Sequence, residues 1–548
     1  MRTTPPDPLR RYSEYFDICD SFGAGLQQKI PALAKGDTVV IYAETQREWM
    51  QAAYGIWRQG LVVGTIYATL GEDGALFGIN QSKCKAVVAD GKLLMTLAKI
   101  CDKFTFLKDI IALEEPPAEA KATLTKAGMN VHTMAEVVAA GKKSPAPATP
   151  PAADDVAVLM YTSGTTGNPK GVLITHKAIL TTVGGTMSDT SAINEIKPAK
   201  FNLTSDSVYL AYLPLAHIME LAVEATMFAV GAKCGFGSPG TLTPNSLKMQ
   251  KKPPQIGDAQ MCAPTCFVAA PAVLDRILIA VKGKFAAAKP FVQKIIQSGI
   301  DSGKANYLAG GVGTKHCIAK LIFKKVQKLL GGRVALMLTG SAPLAAEVQM
   351  FVQTVFGCRV RQGYGLTETC AATCIALSSD NATLNVGPPQ ESACILLRDW
   401  EEGGYKNADK DSEIGMRRGE VLIGGPTVCN GYLVVGRAAA PTHATPRDGC
   451  KPTAPPAKIR PPPHSPTRPT PTTLPKAGLS RDHHPPTSPG TSLGTSPAPS
   501  HLAAPLAQDS LPFRPLSPSG PGRPRPRTRC QEQRGFRHHR WHPLLLLG

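Results

Sequence analysis

Eleven consecutive residues, from Tyr161 to Gly171, combine the side chains that a polyphosphate site requires. The segment contains four Ser or Thr residues, three glycines and one lysine, Lys170. Small residues let backbone N–H groups and hydroxyls approach phosphate oxygens closely, and a lysine supplies positive charge. A Walker A loop is excluded because Pro169 stands where that loop requires glycine. An ordinary surface turn would not explain so many hydroxyls beside one lysine, so we predict a phosphate-binding loop.

Three further groups of small or polar residues are associated with apolar runs. They are His217 after residues 207–214, Gly340 to Ala342 after residues 334–339, and Gly363 to Glu368 in the segment that begins at Val360. In open α/β sheets, ligands bind beyond the carboxyl ends of the strands. We expect all four groups to lie at strand-to-loop exits, so that one site gathers them.

The elements that must position these groups alternate between strand and helix. Apolar runs at 38–42, 62–66, 85–89 and 156–160 predict strands, and residues 13–30, 46–59, 72–82, 345–356 and the segment from His176 have helical character. Such alternation indicates an α/β fold with a largely parallel sheet. Residues 142–151, rich in Pro and Ala, predict an exposed linker before the phosphate-loop strand.

The motif Tyr-Thr-Ser-Gly-Thr-Thr-Gly-x-Pro-Lys-Gly at 161–171 resembles the phosphate loop of the acyl-adenylate-forming enzymes. That family includes acyl-CoA synthetases, luciferases and the adenylation domains of peptide synthetases. Gly-Ser-Ala-Pro-Leu at 340–344 and Gly-Tyr-Gly-x-Thr-Glu at 363–368 resemble the family's adenine and magnesium segments. The resemblance implies a large N-terminal domain of mixed, largely parallel sheets flanked by helices.

The resemblance also implies roles for individual residues in the activation of a carboxylate by ATP. Lys170, His217, Thr367 and Glu368 would be catalytic: His217 would face the acyl carboxylate, Thr367 would contact the α-phosphate and Glu368 would bind Mg²⁺. Thr162 is the second expected metal ligand. The expected nucleotide-binding residues are Thr162, Ser163, Gly164, Thr165, Thr166, Gly167, Lys170, Gly340, Ser341, Ala342, Gln362, Gly363, Tyr364, Gly365 and Thr367.

Composition divides the chain into two parts. Residues 437–548 hold 25 of the 49 prolines and 16 Lys and Arg residues against four Asp and Glu, so they carry +12 of the net charge of +19. Such a segment cannot build a core, and we expect a disordered Pro/Arg-rich tail there after an AMP-binding domain at 1–436. The remaining body is only mildly basic, which gives no reason to expect nucleic-acid binding.

Segments such as Glu44 to Met50, Tyr67 to Gly71 and Asp399 to Tyr405 resemble the long-chain acyl-CoA synthetases, most of all the animal isoforms three and four. Members of that family carry more sequence before the position of Tyr12. They also carry a Thr-Gly-Asp segment and a small C-terminal domain with a catalytic lysine, none of which is recognisable here. We therefore expect a truncated or mis-spliced product, or a faulty gene model, with impaired ligase activity.

Other enzyme classes lack their signatures. A Ser/His/Asp hydrolase would need a Gly-x-Ser-x-Gly elbow, and a Rossmann dehydrogenase would need Gly-x-Gly-x-x-Gly after an early strand; neither motif occurs. The alternative from a different class is a non-catalytic nucleotide- or acyl-binding protein whose Pro-rich tail docks on a partner.

The resemblance implies a long-chain fatty acid, ATP with Mg²⁺, and CoA as the molecules that this chain handles. The sequence contains no run of about 18 apolar residues, so we expect no transmembrane segment. Peripheral attachment is expected at the cytoplasmic face of the endoplasmic reticulum, mitochondrial outer membrane, peroxisome or lipid droplet, because family members usually lie there.

Overall fold

Short apolar strands and amphipathic helices alternate through most of the chain. The computed structural model describes residues 11–162, 169–192, 203–244, 246–249, 256–377, 380–412 and 415–433, and its side-chain description omits 189–192. The phosphate-loop residues Ser163 to Gly167 and the expected tail therefore lie outside the described residues. All described residues fall in one compact unit.

The helices are α1 (Tyr12–Lys29), α2 (Arg47–Arg58), α3 (Glu72–Ser82), α4 (Leu94–Lys99), α5 (Ala118–Lys126), α6 (Met134–Lys143), α7 (His176–Ala192), α8 (Ile218–Ala229), α9 (Asp258–Cys262), α10 (Pro271–Ala286), α11 (Pro290–Leu308), α12 (Cys317–Gln327) and α13 (Ala346–Phe356). The strands are β1 (Thr38–Tyr42), β2 (Val62–Ile66), β3 (Ala86–Ala89), β4 (Asp109–Ala112), β5 (Asn130–Thr133), β6 (Val156–Thr162), β7 (Lys170–Thr175), β8 (Val208–Ala211), β9 (Lys233–Phe236), β10 (Cys266–Ala269), β11 (Leu336–Thr339), β12 (Arg359–Leu366), β13 (Ala371–Ile375), β14 (Cys394–Arg398) and β15 (Glu420–Gly424).

The first sheet has the order β5-β4-β3-β1-β2-β6-β7. Its strands are parallel except for the last pair, in which β7 runs antiparallel to β6. Strands such as β1 are rich in Val and Ile because helices cover both faces of a parallel sheet. The strands predicted at 38–42, 62–66, 85–89 and 156–160 are confirmed within a residue or two.

The second sheet has the order β13-β12-β11-β10-β8-β9, and only β13 runs antiparallel to its neighbour. A small antiparallel pair, β14 and β15, forms the third sheet. Large side chains with no exposed surface fill the two main cores, including Trp49 and Phe22 in the first and Tyr209 and Phe267 in the second. Burial of apolar surface on this scale is the main force that holds the helices against the two large sheets.

Two sequence expectations about local structure are wrong. Lys170 and Gly171 belong to strand β7, which continues to Thr175 and was expected neither as a strand nor as a hairpin partner of β6. Gly363, Tyr364 and Gly365 lie inside β12 rather than at its exit. Both errors have one cause: each segment pairs antiparallel with a neighbour, and local periodicity does not report that pairing.

Within the described part of the chain, no helix combines the length and apolar character needed to cross a membrane.

Candidate functional site

The predicted phosphate loop closes a β-hairpin. Thr162 at the end of β6 pairs with Lys170 at the start of β7, and the Thr162 hydroxyl lies 3.5 Å from the Lys170 carbonyl oxygen. Lys170 is exposed, whereas Tyr161 is buried and donates a hydrogen bond to the carbonyl of Gly78 at 3.2 Å. The hairpin thus has a fixed base at which the Lys170 side chain is exposed.

Residues 430–433 lie alongside β7. Backbone hydrogen bonds join Leu433 to Gly171 at 2.7 Å, and Leu173 to both Asn430 and Gly431 at 2.9 Å. Tyr432 therefore lies beside the start of β7, although about 260 residues separate it from Lys170 along the chain.

Glu368, Tyr432 and Lys170 form one cluster. The Tyr432 hydroxyl donates a hydrogen bond to Oε1 of Glu368 at 2.7 Å, and the Lys170 Nζ lies 5.6 Å from the centre of the Tyr432 ring. The carbonyl of Glu368 accepts a hydrogen bond from the Cys429 N–H at 2.8 Å. Burial and the neighbouring carboxylate raise the pKa of Tyr432 to about 12, so its hydroxyl stays protonated and acts as the donor. The cluster combines a cation, an aromatic face and a carboxylate.

Backbone geometry around Gly365 directs Glu368 toward this cluster. A Cβ at Gly365 would overlap the carbonyl oxygen of Ala371, and the β12–β13 register shifts between Tyr364 and Gly365. Cys370 and Ala371 both adopt positive φ, at 52° and 78°. A 3₁₀ turn at Thr367–Thr369 lies between these irregular positions and carries Thr367 and Glu368. Backbone strain of this kind is common at functional sites.

The turn after β11 lies next to β12. Ser341 is exposed and has φ of 71°, an unusual value for a residue other than glycine. A Cβ at Gly340 would lie 3.3 Å from the carbonyl oxygen of Gly363, so the turn passes close to the strand that carries Tyr364. Ala342 is also exposed. Tyr364 is half-buried, and burial raises its pKa.

Gln362 supports this turn with its side chain. The amide is buried, accepts a hydrogen bond from the N–H of Leu344 at 3.0 Å and donates one to Gln349 at 2.9 Å. Through these two hydrogen bonds, the Gln362 side chain holds residues 340–344 in place.

His217 caps the start of α8. Its Nδ1 accepts a hydrogen bond from the N–H of Met219 at 3.1 Å, which leaves Nε2 as the protonated nitrogen of a neutral ring. Burial lowers the pKa of His217, which keeps the ring neutral at physiological pH. Met219 reaches the adjacent turn, where its sulfur lies 3.9 Å from the Ser341 hydroxyl.

The described site residues thus form a continuous line across the second sheet to the edge of the first. The line begins at His217, passes through the turn formed by residues 340–342 and along β12, and ends with Glu368 and Lys170. Sequence reasoning missed Tyr432 and Met219 as members of this line. The pattern that ends in Gly431 and Tyr432 was noticed, but its pairing with β7 is a long-range contact that no local signal reveals.

Residues 10–433 match the sequence model of a family described as AMP-binding enzyme. The chain belongs to the AMP-binding enzyme family. The expected relationship to long-chain acyl-CoA synthetases is confirmed by curated relatives. Long chain acyl-CoA synthetase 8 of Arabidopsis thaliana is 36% identical over 428 residues, which cover 77% of this chain and 57% of that protein. Long-chain-fatty-acid–CoA ligase 2 of Schizosaccharomyces pombe is 34% identical over 428 residues, with 77% and 58% covered.

The chain therefore spans slightly under three fifths of the length of these relatives. A crystal structure of a long-chain-fatty-acid-CoA ligase from Archaeoglobus fulgidus aligns with a TM-score of 0.54 and 16% identity, covering 79% of this chain and 72% of that chain. At this identity the likeness concerns the fold. The expected fold, mixed and largely parallel sheets flanked by helices, is confirmed.

Proposed function

We propose that this AMP-binding chain contributes the site at which a long-chain fatty acid reacts with ATP to form an acyl-adenylate, with CoA as the later acyl acceptor. The carbon–oxygen–phosphorus linkage forms when a carboxylate oxygen attacks the α-phosphorus and pyrophosphate leaves. The observation that carries the proposal is the Lys170–Tyr432–Glu368 cluster. It connects the start of β7 in the first sheet to the turn after β12 in the second sheet. The names of the relatives supply the substrate class.

The positive end of the cluster suits the phosphates. Lys170 begins β7 directly after the loop, and its ammonium group is the proposed partner of the loop's hydroxyls and backbone N–H groups in holding the β- and γ-phosphates. Thr162 stands at the opposite side of the same hairpin. Both residues keep the roles proposed from the sequence, with Ser163 to Gly167 completing the loop.

The negative end suits a magnesium ion. Glu368 offers a half-buried carboxylate with one oxygen held by a neutral hydroxyl, and hard cations prefer such oxygen ligands. When bound, Mg²⁺ would neutralise phosphate charge. Thr367, the residue before Glu368 in the same turn, is the proposed contact of the α-phosphate.

The remaining residues of the line are suited to contact adenine and the acyl group. The half-buried ring of Tyr364 and the open turn at Gly340 to Ala342 are the proposed adenine contacts, with Gln362 and the backbone of Gly363 and Gly365 shaping them. His217, neutral and protonated on Nε2, is a suitable hydrogen-bond donor to a carboxylate oxygen.

Location and domain limits complete the proposal. We propose that residues 1–436 form the adenylation domain and that the chain works at an intracellular membrane surface, as expected from the resemblance.

The test is an assay of the purified chain with palmitate or arachidonate, ATP, Mg²⁺ and CoA, in which pyrophosphate and acyl-CoA are followed separately. The proposal expects pyrophosphate release that depends on the fatty acid and is lost in Glu368→Gln. Equal release without fatty acid, or in Glu368→Gln, would contradict adenylation at this site.

A further inference from the structure

Two carboxyl groups are buried in the body of the fold, away from the phosphate loop. Glu220 and Glu224 lie one turn apart on α8, and neither has exposed surface. The Glu220 Oε2 accepts a hydrogen bond from the Tyr209 hydroxyl at 2.7 Å. The other oxygen of Glu220 and both oxygens of Glu224 are buried and have no hydrogen-bond partner among the residues that the structure describes. Burial of an ionised carboxylate without a cation is costly, so such groups normally hold a proton.

The described surroundings of the pair contain weakly acidic groups and no compensating base. Among the described residues, the ionisable groups that interact electrostatically with the pair are Tyr12 and Tyr15 from α1, Tyr54 from α2, Tyr209 from β8, Tyr212 directly after β8, and Cys234 from β9. Helix α7 and strand β13 also pack on α8, and none of their described side chains interacts electrostatically with the pair. Burial raises the pKa of Glu220 to about 8, and burial and the neighbouring Glu220 raise that of Glu224 well above its ordinary value.

The pair is linked to the candidate site through the first turn of α8. The carbonyl of His217 accepts a hydrogen bond from the N–H of Glu220 at 3.1 Å. Met219, between these two residues, contacts Ser341 in the turn after β11. The hydrogen bond that the Tyr209 hydroxyl donates to Glu220 ties this same turn of helix to β8, which lies between β10 and β9 in the second sheet. A change in the charge or position of Glu220 therefore affects the positions of His217 and Met219 directly.

We propose that Glu220 is a positioning residue: a buried, protonated acid that, beside Glu224, holds the first turn of α8 on β8 and so fixes His217 and Met219 at the edge of the site. Loss of the proton would place a charge between Tyr209 and Glu224, where no cation of the described part of the chain balances it. The helix start would then shift. The part of this inference that concerns nucleotide binding rests on the proposed function.

The sign of the pH dependence follows from the raised pKa of Glu220. An unfolded glutamate has a pKa of about 4.3. The stability that the buried proton contributes is fully present below that value and is lost as pH rises through the folded-state pKa of about 8. Glu220→Gln keeps the shape and the acceptor for Tyr209 but cannot ionise. The part of this loss that comes from Glu220 should be absent in the variant, and the part that comes from the buried Glu224 should remain.

The first measurement is the melting temperature of the full chain from pH 5 to pH 9 in the wild type, Glu220→Gln, Glu224→Gln and the control Glu119→Gln, which removes an exposed carboxylate on α5. We expect the wild type and Glu119→Gln to decline together as pH rises. Glu220→Gln should match them near pH 5 and melt higher than both at pH 8. Parallel curves for the wild type and Glu220→Gln would overturn the inference.

The second measurement separates positioning from stability alone. The ring ¹⁵N signals of His217, assigned with His217→Gln, should move between pH 7 and pH 9 in the wild type and stay fixed in Glu220→Gln. Because burial lowers the pKa of His217, its own titration lies below that range. Unmoved His217 signals in the wild type would overturn the positioning role.

The third measurement is the affinity for ATP–Mg²⁺ at pH 6.5 and pH 8.5. We expect a loss of affinity at the higher pH in the wild type and not in Glu220→Gln. Equal losses in both proteins would overturn the link to the site. Absence of ATP binding at either pH would contradict the proposed function instead, and the melting and ¹⁵N results would still decide the role of Glu220.

Discussion

At the scale of single residues, the site depends on how the Glu368 carboxylate is held. Its Oε1 accepts a hydrogen bond from Tyr432, whose ring also lies beside the ammonium group of Lys170. An uncharged hydroxyl donor stabilises a carboxylate without neutralising it, so Glu368 keeps the charge that a divalent cation requires. Tyr432 thus competes with a cation for Oε1 while it orients the side chain.

Replacement of Tyr432 by Phe tests this competition. The variant keeps the ring beside Lys170 and removes the donor to Glu368. A hydrogen bond to a charged group contributes about 1.5–3 kcal/mol, and part of that is recovered by water at an exposed site. We expect the Mg²⁺ concentration that supports half-maximal ATP binding to fall by up to about tenfold. Titration with Mg²⁺ at a fixed ATP concentration measures this half-maximal concentration.

The matched control is Tyr405→Phe, at a tyrosine that packs on Trp400 with ring centres 5.8 Å apart. It should leave the Mg²⁺ requirement unchanged. A higher Mg²⁺ requirement in Tyr432→Phe would show that the hydroxyl organises Glu368 for the cation rather than competing with it.

At the scale of elements, the sequence predicted those parts whose pattern is local. The strands β1, β2 and β6 are short, buried and mostly apolar, and α2 has a clear apolar face, so periodicity was sufficient. His217 was correctly expected where a helix opens, and the structure makes it the cap of α8. Motif resemblance singled out Lys170, Tyr364 and Glu368, whose roles in the site stay predictions.

The parts that could not be predicted depend on pairing between distant segments. Strand β7 begins in a motif that suggests a loop, and it is ordered by pairing with β6 on one side and residues 430–433 on the other. The bulge in β12 at Gly365 requires the close approach of β13. The acid pair on α8 is unremarkable in sequence, since an exposed helix would show the same Glu spacing.

Gly365→Ala tests whether the β12–β13 irregularity is fixed by close backbone approach. An added Cβ would overlap the Ala371 carbonyl, so the strands must separate. We expect destabilisation of about 1–3 kcal/mol, comparable to overpacking, together with weaker ATP binding because Thr367 and Glu368 follow directly. Denaturant unfolding and calorimetry measure the two effects.

Gly283→Ala on α10 is the control, because a Cβ there meets no atom within 4 Å. Helix propensity predicts a neutral or stabilising effect of about 0.5–1 kcal/mol. If Gly365→Ala were as stable as Gly283→Ala, the proposed constraint on Glu368 would be wrong.

At the scale of the whole molecule, the family match and the charge distribution divide the chain at the same place. The match ends at residue 433, close to the expected domain limit at 436. Beyond it, the composition is rich in proline, and Lys and Arg outnumber Asp and Glu. The folding energy of the body should therefore come from residues before that limit.

Deletion of residues 437–548 tests this division. Because that segment is rich in proline and charge, it has little apolar surface with which to stabilise the body. We expect the melting temperature of the body to stay within about 1 °C of the full chain, since changes remote from core packing are usually within ±0.5 kcal/mol. A drop of several degrees would show that the segment packs on the body.

The central claim is that the hairpin, the β12 turn and Tyr432 form an ATP–Mg²⁺ site, and titration calorimetry of ATP into the purified chain tests it most directly. With Mg²⁺ present, we expect saturable binding at one site, weakened by about ten- to a hundredfold in Glu368→Gln and in Lys170→Ala, because each removes a charge-assisted contact. The exposed Glu402→Gln should bind as the wild type does. No heat of binding from the folded wild-type chain, or equal affinity in all four proteins, would contradict the claim.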